Sequence, residues 1–273
     1  MERKTEKVLG YDVDLTTFDD AVSHVENCLA ENKGLYIVTI NPEIIEYANK
    51  HQDFSALIKS ANLTVPDGVG IKIALKLKGI EQETIPGVEL AHNLLKSATK
   101  LNKKVALIGA KEEVINKAIE LIQSEFEGIN ICYHHNGYFM GKKETEIIEK
   151  LTNSQPDIVF VALGAPKQDL FIEKFKQNLP NTIFIGVGGS FDVWAGVIER
   201  APEFYRNIGC EWLYRTIKQP ERIKRIYKTL PIFLFKVIIE AIKYKWNMCL
   251  KGKKWLIKFQ IQKLKKFKKI QKN

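Results

Sequence analysis

Cysteine is scarce. The 273 residues include four, Cys28, Cys132, Cys210 and Cys249, and none forms a C-x-x-C pair. No disulfide framework follows from that spacing, and a reducing cytosol is the simpler setting. Histidine is nearly as sparse: the five, His24, His51, His92, His134 and His135, never fall at H-x-x-x-H spacing with a carboxylate, so no zinc signature is present. No G-x-G-x-x-G follows a strand-like run and no Walker A motif occurs, so the common dinucleotide and P-loop fingerprints are missing. The N-terminal MERKTEKVLG has no apolar run, and no secretory signal is expected. The longest apolar stretch, 230–242, is broken by Lys236 and Glu240. It falls short of the ~20 residues that a spanning helix needs, so any membrane contact is expected at the surface. There is no internal repeat, and no long linker before residue 200.

What the chain does have is apolar mass and a lopsided charge. Hydrophobic residues make up 45%, with 14 Phe and 4 Trp, enough for a sizeable core. The net charge of +10 conceals a division. Residues 1–199 carry 21 Lys+Arg against 28 Asp+Glu, a net of −7, whereas 200–273 carry 21 against 4, a net of +17. A basic C-terminal quarter points to a polyanionic partner, either nucleic acid or an anionic membrane surface.

Apolar β-branched runs alternate with helix-period segments. LYIVTI (35–40), VALIGA (105–110), INICYHH (129–135), DIVFVALG (157–164) and TIFIGVGG (182–189) read as strands. Pro42 opens a helix running to Lys50, EEVINKAIELIQ is helical, and a further helix covers 167–177. Near-continuous apolar strands separated by amphipathic helices predict an α/β fold, Rossmann-like in layout: a mostly parallel sheet with helices on both faces. The expected organisation is an α/β core over 1–199 and a basic, helical, amphipathic appendage over 200–273.

In open α/β sheets ligands bind at the carboxyl ends of the strands, so the residues there are the candidates. Thr39 and Asn41 follow the first long strand and offer a hydroxyl and an amide to a sugar or phosphate; Asn41 equally suits a helix cap. Asp67 sits in the turn PDGVG, as a general base toward a hydroxyl, as a cap of the next helix, or as both. After DIVFVALG, a helix starting at Pro166 or Lys167 directs backbone N–H groups at a phosphate, Lys167 adds charge and Gln168 an amide. Gly188 and Gly189 permit close backbone approach, with Asp192 just beyond. Ordinary turn chemistry is the alternative for these last two loops, but two such loops on neighbouring strands favour a ligand site. Tyr138 in NGYF is placed either to stack on a nucleobase or to serve as a core or turn aromatic. Asp12-Val13-Asp14 matches the D-x-D of metal-dependent sugar transferases, yet two acids alternating along an extended segment read as its solvent face, and no metal role is assigned.

Beyond residue 200, aromatics and aliphatics are interleaved with lysine, the pattern of an interfacial helix. This reading is favoured for 200–245. For 245–273 a solvated basic tail stands equally.

Seven segments in order resemble the WecG/TagA/CpsF family of glycosyltransferases: TINPEI (39–44), PDGVGI (66–71), IPGVEL (85–90), NGYF (136–139), LGAPKQD (163–169), GVGGSFDVWAG (186–196) and RAPEFYRNIGCEWLYRTIKQPERIKR (200–225). The resemblance covers roughly 8–230. It implies inverting transfer from a UDP-sugar, with no cofactor or D-x-D metal, onto undecaprenyl-diphosphate-linked N-acetylglucosamine, at the inner face of the cell membrane. Asp67 then resembles the catalytic base, Thr39 and Asn41 polar groups near the sugar, and Gln168 a donor ligand. Arg215, Arg222 and Arg225 lie on the appendage that closes the site. Arginine forks suit a diphosphate, whose leaving-group charge must be met by protein groups when no metal serves. Asp169 stands where the family usually has Glu. Thr84 stands near where many members carry Arg ahead of the I-P-G segment, which loosens the inference of sugar identity.

N-acetylmannosamine is the leading donor sugar, with its uronic acid or glucose as rivals. A nucleotide-sugar enzyme of another class, such as an epimerase, is disfavoured by the missing glycine fingerprint. Nucleic-acid binding is disfavoured by the aliphatic content of the basic segment and the acidic body. A homo-oligomer is compatible with the sequence but not specified by it.

Overall fold

The computed structural model describes residues 3–199, 202, 214 and 229–246. Six strands form one sheet: β3 (Leu35–Ile40), β4 (Leu63–Pro66), β5 (Lys104–Gly109), β6 (Asn130–His135), β7 (Ile158–Ala162) and β8 (Ile183–Gly186). Their spatial order is β4-β3-β8-β7-β5-β6, and every neighbouring pair is parallel. A separate antiparallel hairpin, β1 (Thr5–Val8) and β2 (Tyr11–Asp14), precedes it.

Because side chains alternate along a strand, β3, β5, β7 and β8 each feed two cores. Ile37, Val65, Leu107, Phe160 and Ile185 point to one face, beneath α1 (Phe18–Ala30), α5 (Gly87–Lys100), α6 (Glu112–Glu125) and the short α9 (Ser190–Trp194). Tyr36, Val38, Ile40, Ile108, Val161 and Phe184 point to the other. That face is covered by α2 (Pro42–Ala48), α3 (Gln52–Lys59), α4 (Val69–Leu77), α7 (Lys142–Ser154) and α8 (Lys167–Phe175). Burial on both faces explains why the strands read as apolar runs rather than alternating ones. Each fully buried Val, Leu, Ile or Phe contributes about 1.5–3 kcal/mol. Gly109 ends β5 at φ 134°, and a Cβ there would lie 2.4 Å from the Ala162 carbonyl oxygen, so only glycine fits.

The hairpin is anchored beside β4 through Asp14. Its carboxylate accepts from Arg3 Nε at 2.6 Å and Nη2 at 2.8 Å, and from the Thr64 N–H at 2.6 Å. Asp12 pairs with Lys7 at 3.0 Å. Both acids of the D-x-D sequence are therefore engaged in holding the hairpin.

A tenth helix, α10, covers 229–246. Phe233, Val237 and Ala241, four residues apart, are buried against the α2–α4 layer. Lys236 reaches Glu46 on α2 at 2.7 Å, and Glu240 accepts the Leu9 N–H at 3.0 Å and pairs with Lys78 at 3.3 Å. The opposite side of α10 carries Ile232, Phe235, Ile238, Ile239, Ile242 and Trp246, 37 to 68% exposed. No helix among the described residues is long and apolar enough to cross a membrane. Within 200–273 the described residues are 202, 214 and 229–246.

Candidate active site

All six parallel strands end on the same edge of the sheet, and the strand order decides which loops become neighbours. Thr39 is level with Val65 and Ile40 with Pro66, so the Asn41 and Asp67 loops lie side by side. Ile37 is level with Ile185, which places the Gly188 loop on the other side of Thr39. β7 follows, carrying Gly164 to Gln168. With neighbouring strands ~4.8 Å apart, the row from Asp67 to Lys167 spans three spacings, about 14 Å.

At one end of the row, the Asp67 N–H donates to the Ile40 carbonyl at 2.9 Å. The half-buried Asp67 precedes Gly68, whose φ of 79° turns the chain into α4. Asn41 is the cap of α2: its Oδ1 accepts the Ile44 N–H at 3.0 Å, which directs the remaining amide donors elsewhere. The IPG segment enters between these loops. The Ile85 N–H donates to the Pro66 carbonyl at 2.7 Å, and Gly87 meets Thr39 so closely that a Cβ would sit 3.0 Å from its methyl. Thr84 is one residue from this junction.

At the centre, Gln168 is buried, and its Oε1 accepts the Gly188 N–H at 3.0 Å. Its side chain fills the space over Gly186, where a Cβ would be 2.3 Å from Nε2. Gln168 thus braces the β8 loop from within, while the adjacent Lys167 is exposed at the start of α8. Gly188 adopts φ 52°, a left-handed turn with open space beside it. Asp192, half-buried, has its carboxyl pushed up chiefly by burial, against which a backbone hydrogen bond and, less strongly, the charge of Lys111 act.

The β6 loop arrives from the far edge. Gly137 donates to the Ala110 carbonyl at 2.8 Å, and a Cβ on it would lie 2.7 Å from Leu163, so the loop folds over the end of β5 toward β7. Tyr138 stands 70% exposed at its tip, bordering a cavity of about 210 Å³ with His135, Lys143 and Lys150. It is at the opposite end of the row from Asp67. Arg215, Arg222 and Arg225 lie outside the described residues.

Residues 6–247 match the Glycosyl transferase WecG/TagA/CpsF family. The chain belongs to this family. Among its relatives, an N-acetylglucosaminyldiphosphoundecaprenol N-acetyl-beta-D-mannosaminyltransferase from Bacillus spizizenii is 41% identical over 217 residues, covering 79% of this chain and 82% of that protein. The protein of the same description from Staphylococcus aureus is 38% identical over 233 residues, covering 84% and 91%. The WecG/TagA/CpsF assignment makes the chain a glycosyltransferase and accounts for the order of its seven segments, six of which carry the row of strand-end loops and the IPG turn.

Within this family member, two features escaped the sequence reading. Lys111 stands at the first position before α6, just past β5, and its charge acts weakly on Asp192. Its signal was available, since it directly follows the VALIGA strand. Asp169, next to Gln168, is buried and accepts the Tyr36 hydroxyl at 2.7 Å, while its Oδ2 has no partner. Burial raises the Asp169 carboxyl to about 6 despite that hydrogen bond. The same burial, with the acid beside it, pushes the Tyr36 hydroxyl well above its ordinary value. No local pattern announces a contact between residues 133 apart in sequence.

Proposed function

We propose that this glycosyltransferase inverts the anomeric centre of N-acetylmannosamine as it moves the sugar from its UDP donor to undecaprenyl-diphosphate-linked N-acetylglucosamine. The observation that carries the reading is the placement of Asp67, Thr39 with Asn41, Gly188 and Lys167 at the ends of four neighbouring strands. The relatives' descriptions supply the donor and acceptor classes.

The donor lies along the row. Tyr138 stacks on the uracil, Lys167, the backbone at Gly188 and Asp192 border the diphosphate, and Thr39 and Asn41 hold the sugar. Asp67 accepts the proton of the attacking acceptor hydroxyl as its oxygen bonds to the anomeric carbon. The bond from that carbon to the UDP oxygen breaks on the opposite face, and UDP leaves with the electron pair. Lys167, backbone N–H groups and the arginines at 215, 222 and 225 meet the developing charge. Donors that are rivals to this one, the uronic acid or glucose, differ at the sugar end, where Thr84 stands.

The same reading puts the protein on the inner membrane face. The outer stripe of α10 carries six large apolar side chains and no acid, within a C-terminal segment of net +17. Such a segment gains ~1 kcal/mol per basic residue near an anionic surface, with apolar insertion added.

The test is transfer by the purified full chain from a panel of UDP-sugars to a short-chain lipid-diphosphate N-acetylglucosamine, with and without EDTA. N-acetylmannosamine transfer that persists in EDTA is expected. Transfer of another sugar alone, or a requirement for added Mg²⁺ or Mn²⁺, overturns the corresponding part.

A further inference from the structure

Helix α10 does more than pack on the body: it touches the point where the two polar loops at the Asp67 end of the row begin their helices. Asn41 caps α2, whose first residue is Pro42, and Asp67 leads through Gly68 into α4, whose second residue is Gly70. Pro42 and Gly70 meet, for a Cβ on Gly70 would lie 2.5 Å from Pro42 Cγ. The third member of that contact is Phe233, whose Cε1 would be 3.4 Å from the same Cβ and which is fully buried. One aromatic ring of α10 therefore closes the junction between the helix carrying Asn41 at its cap and the helix that follows Asp67.

The rest of α10 holds the ring there. Phe233 lies at the start of α4 and Glu240 pairs with Lys78 at its end, so α10 runs in the same direction as α4. Lys236 is fastened to Glu46 on α2 between those points. Interiors pack as densely as organic crystals, and loss of ring volume lets neighbouring elements move. A shift at Pro42 or Gly70 is passed directly to Asn41 and Asp67, within one to three residues. The Gly188 and Lys167 loops are built instead on β8 and α8.

We infer that Phe233 is a positioning residue for the sugar-transfer step, which holds Asn41 and Asp67 in place by buttressing the Pro42–Gly70 contact between the first turns of α2 and α4. The inference rests on the reading of Asp67 as base and of the β7–β8 loops as the diphosphate end.

The test compares Phe233→Leu with Phe54→Leu in the full chain; Phe54 is also fully buried, in the same layer, but on α3. Two readouts are needed. Hydrogen exchange followed by mass spectrometry should accelerate at least tenfold over 41–47 and 66–74 in Phe233→Leu, with 158–175 unchanged, and Phe54→Leu should leave 66–74 unchanged. Turnover on the soluble acceptor should fall at least tenfold in Phe233→Leu while its affinity for UDP stays within twofold, and Phe233→Tyr should recover part of the turnover. Unchanged exchange over both segments overturns the inference whatever the donor sugar proves to be. Turnover within twofold of the unsubstituted chain, or equal losses of turnover and UDP affinity in both Leu variants, also overturns it. Absence of transfer by the unsubstituted chain counts against the proposed donor and acceptor, and the exchange result then decides the role of Phe233.

Discussion

Gln168 and Gly188 are joined by one hydrogen bond, from the backbone N–H of Gly188 to the buried side-chain Oε1 of Gln168 at 3.0 Å. Helix α8 and the β8 loop are thus fixed to each other at the middle of the strand-end row. Gln168→Ala leaves that N–H without its acceptor and opens a void over Gly186. The expected cost is about 1–3 kcal/mol of stability, together with a roughly tenfold loss of UDP affinity if ~1.4 kcal/mol of that cost falls on the loop. Urea denaturation and calorimetric titration with UDP check the two effects. Unchanged UDP affinity would show that the brace has no bearing on the donor.

Asp67→Asn keeps the shape of the side chain and leaves the backbone bond to Ile40 in place. The variant is expected to fold and bind UDP normally while losing ~10²–10⁴-fold in turnover, the usual contribution of a positioned base. Single-turnover measurements on the soluble acceptor decide the matter. Near-native turnover would remove Asp67 from the role of base.

Asp169 gives a pH prediction of definite sign. Its folded-state value of about 6 lies above the ordinary ~3.9 of an unfolded aspartate. Its neutral form therefore favours folding fully below pH ~4, and that contribution is lost as pH rises through 6. The loss amounts to on the order of 3 kcal/mol. Asp169→Asn retains an acceptor for the Tyr36 hydroxyl and carries no charge. Its stability relative to the unsubstituted chain should thus improve between pH 4 and pH 7, as read by urea denaturation across that range. A pH-independent difference would contradict the burial argument.

The outer stripe of α10 should act on membranes and not on folding. Phe235→Asp combined with Ile239→Asp replaces two exposed side chains that face away from Phe233 and Val237. Full burial of each is worth about 1.5–3 kcal/mol, so partition onto vesicles containing phosphatidylglycerol should fall at least tenfold. The melting temperature and transfer to a short-chain acceptor should be preserved. Sedimentation with vesicles at two salt concentrations separates the apolar part from the screened electrostatic part. Equal binding by the variant and the parent would assign the membrane contact elsewhere.

Much of the fold was legible because it rests on local pattern. LYIVTI, VALIGA and DIVFVALG are buried on both faces, so their apolar runs declared a parallel sheet before any contact was known. Pro42 marked the start of α2 and Asn41 its cap. The helix expected over 167–177 ends at Phe175 and continues as a 3-10 turn over Lys176–Asn178. The candidate loops were legible for a similar reason, since the ends of parallel strands converge on one edge. The order of those strands was not legible, and it alone sets Tyr138 and Asp67 at opposite ends of the row. Gln168 was read as a group reaching a ligand, and its bond to Gly188 depends on β7 and β8 being neighbours. Phe233, Lys111 and the Tyr36–Asp169 contact belong to the same class, being made by chain segments that only the tertiary fold brings together.

The attachment of α10 has a consequence for the order of events on the ribosome. Leu9 and Glu46, and Lys78 in addition to its pairing with Glu6, find partners on the helix described over 229–246. A nascent chain that has already made the whole parallel sheet still lacks the acceptor for the Leu9 N–H and the cation for the buried carboxylate of Glu46. The first hairpin emerges early and gains this acceptor only after residue 240 has been added. The segment that supplies these contacts also carries the stripe proposed to enter the membrane, so they cannot form before that stripe has been synthesised.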